Sequence, residues 1–240
     1  MRAALLGDKG VEIRDLPKPA PKPNEVLIRV RASSLNRADL LVALGHQHGS
    51  VGGVGARLGL ECAGEVEAVG SEVEGVKPGD RIMASAPGGF AEYVVTDAGR
   101  VHRIPGNNMS YEQAACFPVA LQTMHNAVVT AGRFKSGETM LMQGASAGVG
   151  LMGMQIGKLM GAALVVGTST NADRRARLHE FGCDLALDSA DPSWPDQPKT
   201  RPAERASILS SISFPRLSPI RMWKRPAFSA ALSMSAGLAA

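Results

Sequence analysis

Apolar and polar positions change their rhythm once along the chain. Through residues 1–100 the apolar positions come in short, partly alternating runs. Val26-Leu-Ile-Arg-Val-Arg-Ala alternates over part of its length, and Glu65-Val-Glu-Ala-Val is apolar at every second residue. Lys77-Pro-Gly-Asp is turn chemistry, because Pro presets φ and Gly permits a positive φ. Arg81-Ile-Met-Ala and Phe90-Ala-Glu-Tyr-Val-Val follow as further strands. Many short strands divided by Gly and Pro predict a small barrel or sandwich.

From about residue 110 the pattern lengthens. Ser110 followed by Glu112-Gln113 predicts a helix start, and Ala114 to Ala131 has few breakers. Glu138-Thr-Met-Leu-Met-Gln predicts a strand, Gly144-Ala-Ser-Ala-Gly-Val-Gly a loop, and Leu151 to Met160 an apolar helix. Ala163-Leu-Val-Val-Gly is the next strand. Asn171 is placed to cap a helix over Ala172–Phe181, Gly182 to end it, and Asp184-Leu-Ala-Leu-Asp to form a third strand. This β-α-β-α-β order is the first half of a doubly wound nucleotide-binding sheet, so the expected class is α/β.

Composition narrows the function classes. With 240 residues, 45% hydrophobic and 20% charged, the chain has material for a sizeable core and is neither wholly disordered nor fibrous. No run approaches the roughly 18 apolar residues needed to cross a bilayer. The start, Met1 to Asp8, meets charge too soon for a secretory signal. Cys62, Cys116 and Cys183 lie far apart, which indicates neither a disulfide framework nor a zinc knuckle. A cytoplasmic protein with no membrane partner is expected. The net charge of +4 at first suggests nucleic acid, but its location argues otherwise. Residues 201–240 hold six basic residues and one acid, leaving 20 basic and 21 acidic groups in the first 200. The basic residues of the tail are scattered among few aromatics (Phe214, Trp223, Phe228), so no nucleic-acid partner is expected.

The glycine loop carries the clearest chemistry. A helix N-terminus offers unpaired N–H groups and positive dipole, and a pyrophosphate approaches closely only where the turn is built of small residues. Against the G-x-G-x-x-G fingerprint the loop offers Ala145, Ala147 and Gly150, with Gly148 beside Ala147. The ordinary alternative is a tight turn. Its place between an apolar strand and an apolar helix favours phosphate binding by Ser146, Ala147, Gly148, Val149 and Gly150. An acid about 20 residues beyond the loop would hold the ribose 2′-hydroxyl of NAD. Here Thr168 and Ser169 are followed by Arg174 and Arg175, which suit a 2′-phosphate and so NADP(H). Two solvent-facing arginines are the plain alternative. His46, His48, Cys62, Cys116 and His125 match no compact zinc spacing, so no metal is expected.

Residues 1 to about 197 resemble a medium-chain dehydrogenase/reductase, of the zinc-free quinone oxidoreductase branch. The matching stretches are Ser34-Leu-Asn-Arg-Ala-Asp-Leu-Leu, Gly59-Leu-Glu-Cys-Ala-Gly-Glu-Val, Val76-Lys-Pro-Gly-Asp-Arg-Ile, Gly88-Gly-Phe-Ala-Glu-Tyr-Val and the glycine loop. The resemblance implies a GroES-like β-barrel domain over 1–115 that takes the substrate. Residues 116–198 would be the first half of a Rossmann domain, with NADPH held in the cleft between the two. Zinc-bearing relatives place Cys where Asn36 lies and His where Leu60 lies, so both ligands are replaced. The implied chemistry is hydride transfer from nicotinamide to a small-molecule quinone or α,β-unsaturated carbonyl. Asn36 matches a position near the nicotinamide, where it would donate to the substrate carbonyl; capping a loop is its equally ordinary role. Thr123 matches another cleft position. Leu41 stands where some relatives carry Tyr, which leaves the proton donor unassigned. A non-catalytic NADP(H)-binding or structural protein is the competing reading.

Residues 199–240 read differently as written and are expected to be an aberrant, poorly ordered basic tail. Shifted by two nucleotides, codons compatible with Ala206–Ile212 can spell Val-Asp-Leu-Ile-Ile-Asp, and those compatible with Ala231–Ala240 can spell Ile-Val-Asn-Val-Gly-Arg-Leu-Gly. Both resemble strand-loop text of the remaining Rossmann half. A frameshift that truncates the family pattern is therefore expected, and with it the loss of the edge strand through which family dimers commonly form. The DNA sequence around codons 197–205 tests this.

Overall fold

A computed structural model describes residues 1–48, 52–106, 108–194 and 206–210. They divide after Val119 into two compact units.

The first unit is β-rich, as the alternation predicts. β1 (Arg2–Gly7) and β2 (Gly10–Asp15) form an antiparallel hairpin. β3 (Glu25–Ser33), β4 (Glu61–Val69), β5 (Arg81–Ser85), β6 (Tyr93–Asp97) and β7 (Val101–Arg103) form an antiparallel sheet in the order β6-β3-β4-β5-β7. Register shifts on β3 at Leu27/Ile28 and Val30/Ala32 bend it, as bulges do. Strand periodicity sends Val26, Ile28, Cys62, Val66, Ile82, Ala84 and Val94 into one core. Ala63 and Met83 point the other way, against Ala114 and Ala115 of α2 (Tyr111–Ala115). Ser110 caps α2 and Gln113 completes a capping box, as its spacing predicts. α1 (Arg37–Ala43) lies between β3 and β4 in the chain. The Lys77–Asp80 turn closes by a 3.0 Å bond from Asp80 N–H to the Lys77 carbonyl, with Gly79 at φ +90°.

The stretch Ala114–Ala131, expected to hold few breakers, is divided into separate helical segments. α2 ends at Ala115, α3 (Pro118–His125) begins anew at a proline, and a π-helical turn covers Asn126–Ala131. Pro lacks an N–H and is preorganised for the first helical position, so Pro118 starts a helix and cannot continue one.

In the second unit β8 (Thr139–Gln143), β9 (Leu164–Ser169), β10 (Leu185–Asp188) and β11 (Ala206–Ser210) are parallel, in the order β10-β9-β8-β11. Residues 206–210 as written thus pair with β8; the rest of 199–240 lies outside the described residues apart from those five. α4 (Gly148–Leu159) packs on β8 through Gly153 and Gly157, where an added Cβ would lie 2.3 Å from the terminal methyls of Met142 and Met140. α5 (Ala172–Ala176) is shorter than expected and continues as a 3₁₀ turn over Leu178–Phe181, ended by Gly182 at φ +87°. Asn171 caps it by accepting the Arg174 N–H at 2.9 Å. The buried side chains of Met140, Met142, Met154, Val165 and Leu178 hold strands and helices together.

Candidate functional site

β8 sits where the chain reverses its direction across the sheet: β9 and β10 lie to one side and β11 to the other. Ligands of open parallel sheets bind outside the carboxyl ends of the strands at such a switch point. The register brings Gln143, Ser169, Asp188 and Ser210 to that edge. The glycine loop leaves β8 there and enters α4.

Local geometry explains the loop's composition. Gly144 has φ +65°, and the Ala145 N–H donates 2.9 Å to the Thr168 carbonyl, which fixes the loop to β9. Ala147 is the N-cap residue, and its carbonyl accepts from Leu151 N–H at 2.9 Å. A Cβ on Gly150 would lie 2.6 Å from the Gly144 carbonyl oxygen and 2.8 Å from the Ala145 Cα, so only glycine fits that crossing. A Cβ on Gly148 would meet nothing within 4 Å. The loop is therefore packed tightly behind Gly150 and open in front of Gly148, and Ala147 and Gly148 are exposed. The first N–H groups of a helix lack intrahelical partners. The open face and small residues fit the pyrophosphate of a dinucleotide.

Ser146 and Ser169 are brought together, their hydroxyl oxygens 2.9 Å apart, while Thr168 and Ser169 are buried. The two arginines separate in role. Arg175 donates to the Ser169 carbonyl at 2.9 Å and pairs with Asp188 at 3.0 Å, so it braces the ends of β9 and β10. Arg174 is exposed on the first turn of α5.

In the first unit Asn36 is the N-cap of α1 and shares a capping box with Asp39, its backbone N–H donating 2.7 Å to Asp39 Oδ2. Its Nδ2 donates 2.7 Å to Glu61 Oε1. The Ser34 hydroxyl also bonds Glu61 Oε1, and Val119 N–H donates 2.7 Å to Glu61 Oε2. Glu61 is 2% exposed and Asp39 5%. Burial pushes the Asp39 carboxyl above its usual range, opposed by the Asn36 and Gly59 N–H groups and aided by the charge of Glu61. Asn36 is thus the N-cap residue of α1, and its amide nitrogen is held by Glu61. Thr123 is half-buried on α3. Sequence reading missed Ser34 and Glu61; the signal was a carboxylate set among the apolar and small residues of Gly59-Leu-Glu-Cys-Ala-Gly. Among the described residues no group of three His, Cys, Asp or Glu could hold a metal.

Residues 22–106 match the alcohol dehydrogenase GroES-like domain family. The solved quinone oxidoreductase of Pseudomonas syringae pv. Tomato DC3000 is 26% identical, with a TM-score of 0.73 over 87% of this chain and 65% of that one. The CurK enoyl reductase structure is 25% identical, with a TM-score of 0.78 over 89% and 68%. The chain thus carries a GroES-like domain of the alcohol dehydrogenase family and is similar, over almost nine tenths of its length, to medium-chain dehydrogenases/reductases. Its GroES-like sheet followed by part of a Rossmann-type sheet is the architecture the resemblance implied. A mycobacterial structure solved with NADPH is 25% identical, with a TM-score of 0.72 over 87% of this chain and 66% of that one. A phenolphthiocerol/phthiocerol polyketide synthase chain of Mycobacterium tuberculosis is 33% identical over 187 residues, which cover 78% of this chain and 8% of the synthase. The chain therefore spans under a tenth of that synthase and about two thirds of these solved relatives. Among the described residues, no helix is long and apolar enough to cross a membrane.

Proposed function

We propose that this chain is an oxidoreductase that uses NADPH to reduce an α,β-unsaturated carbonyl or a quinone. The observation that carries the reading is the glycine loop at the sheet's switch point, tight behind Gly150 and open before Gly148. Ser146, Ala147, Gly148, Val149 and Gly150 would hold the pyrophosphate. Thr168, Ser169 and Arg174 would hold the adenosine ribose with its 2′-phosphate, since Arg175 is already engaged by Asp188. When bound, NADPH supplies the hydride. The protein's part is to orient the reactants and exclude water. Residues 1–115 serve in this reading as the substrate domain, with Asn36 contacting substrate, and 116–198 as the cofactor domain, in which Thr123 is the further candidate substrate contact. Conjugated thioesters fit the acceptor class, supported by relatives that include a polyketide synthase and an enoyl reductase. Three free cysteines support a reducing, cytoplasmic setting.

A second reading, a non-catalytic NADP(H)-binding protein, is favoured by one observation: the amide that would face the substrate is engaged by Glu61. Oxidation of NADPH by the purified chain, with a short enoyl thioester, a simple enone and a simple quinone as acceptors, decides between them. Saturable binding with turnover supports the reductase; binding without turnover supports the second reading.

A further inference from the structure

We infer that Glu61 is a positioning residue for the proposed reduction, holding the Asn36 amide and the first turn of α3 in one register. The inference rests on the reductase reading above. Glu61 is 2% exposed, and three neutral donors from distant parts of the chain converge on its two oxygens. They are the Ser34 hydroxyl, Asn36 Nδ2 at 2.7 Å and Val119 N–H at 2.7 Å. A buried carboxylate is costly unless it is well hydrogen-bonded, and a carboxylate accepts only. Facing it, the Asn36 amide therefore has a single orientation, with nitrogen inward. Asp39 grips the same residue from its backbone side through the Asn36 N–H. Val119 is the second residue of α3, and Thr123 lies four residues further along that helix. One side chain thus ties the Ser34–Asn36 segment to Val119 within the first unit. Ser34 joins Glu61 to the turn that precedes Asn36, so the whole Ser34–Asn36 segment is fixed from one point.

The test is a double-mutant cycle on the full chain: wild type, Asn36→Ala, Glu61→Gln and the double variant, assayed with whichever acceptor the wild type reduces. Misplacing a reacting partner by about 1 Å costs up to roughly 100-fold. Glu61→Gln is expected to lower kcat roughly 10- to 100-fold while NADPH affinity holds. In the Asn36→Ala background the same change should lower kcat by less than about threefold, because the group it positions is gone. A merely structural Glu61 would lower kcat equally in both backgrounds, and that result overturns the inference, as does an unchanged kcat in Glu61→Gln. Should Glu61→Gln fail to fold, Glu61→Asp takes its place with the same expectations, since it keeps the charge and shortens the reach. A second readout is independent of turnover. The side-chain amide proton signals of Asn36 in the wild-type NMR spectrum should show one proton shifted downfield and slow to exchange, and both effects should vanish in the Glu61 variant. An amide unmoved by the substitution defeats the Glu61 inference; a wild type that binds NADPH yet reduces no acceptor defeats only the reductase reading.

Discussion

Substituting Gly150 by Ala tests the loop geometry at its tightest point. The new Cβ would sit 2.6 Å from the Gly144 carbonyl oxygen and 2.8 Å from both Ala145 Cα and the Ala145 carbonyl oxygen. These are backbone atoms, which cannot rotate away as a side chain can. Restoring ordinary contact, from 2.6 to about 3.4 Å, asks the loop to move about 0.8 Å in a densely packed interior. Overpacking of this kind costs about 1–3 kcal/mol, against which the better helix propensity of Ala returns up to about 1 kcal/mol. At about 2–4 °C per kcal/mol, Gly150→Ala should lower Tm by a few degrees. It should also weaken NADPH binding, because the shifted loop presents the N-terminus of α4. Gly148→Ala is the control. Its Cβ meets nothing within 4 Å, so stability should stay within about 0.5 kcal/mol while the new methyl projects into the open face and weakens NADPH binding. Thermal unfolding with and without NADPH reads both. Wild-type Tm and affinity in Gly150→Ala would refute the packing described for the loop, and a destabilised Gly148→Ala would refute its open face.

Three further outcomes follow from individual side chains. Arg174→Ala should weaken NADPH binding about tenfold and leave NADH binding unchanged, whereas Arg175→Ala, which breaks the contacts to Asp188 and the Ser169 carbonyl, should chiefly lower stability by about 1 kcal/mol; titration with both cofactors and denaturant unfolding separate the two. A thiol reagent at neutral pH should label Cys116 in the native chain and spare Cys62 and Cys183, since both are buried and burial pushes the Cys62 thiol up to about 12; mass spectrometry of the labelled protein checks this. Asp39 has a folded pKa above its unfolded one, so its contribution to stability is present below the unfolded value and lost as pH rises through the folded value. Denaturant midpoints for Asp39→Asn should therefore gain on the wild type from acid towards neutral pH, and a constant difference would contradict the burial of that carboxyl.

What was legible in the chain was mostly local. Alternation in Val26–Ala32 and Glu65–Val69 marked strands because one side of each strand must enter a core. Ser110 with Gln113 and Asn171 with Gly182 marked helix ends because caps answer backbone groups a few residues away. Pro118 divides a long apolar stretch into two helices, because without an N–H it starts a helix and cannot continue one. The roles of Arg174 and Arg175 could not be told apart by composition, since the difference lies in Asp188, on another strand. Glu61 was harder still. Its partners lie 25, 27 and 58 residues away, so only the fold brings them to one carboxylate. Residues 206–210 make a related point: a segment whose composition reads as foreign to the fold still extends the sheet, because parallel pairing with β8 is a matter of backbone hydrogen bonds.

The most direct test of the account is a titration of the purified 240-residue chain with NADPH, followed by the fluorescence of the reduced nicotinamide. Saturable binding is expected, displaced by adenosine 2′,5′-bisphosphate and weakened by Gly148→Ala. Binding that does not saturate, or that Gly148→Ala and the bisphosphate leave untouched, would contradict a dinucleotide held at the glycine loop.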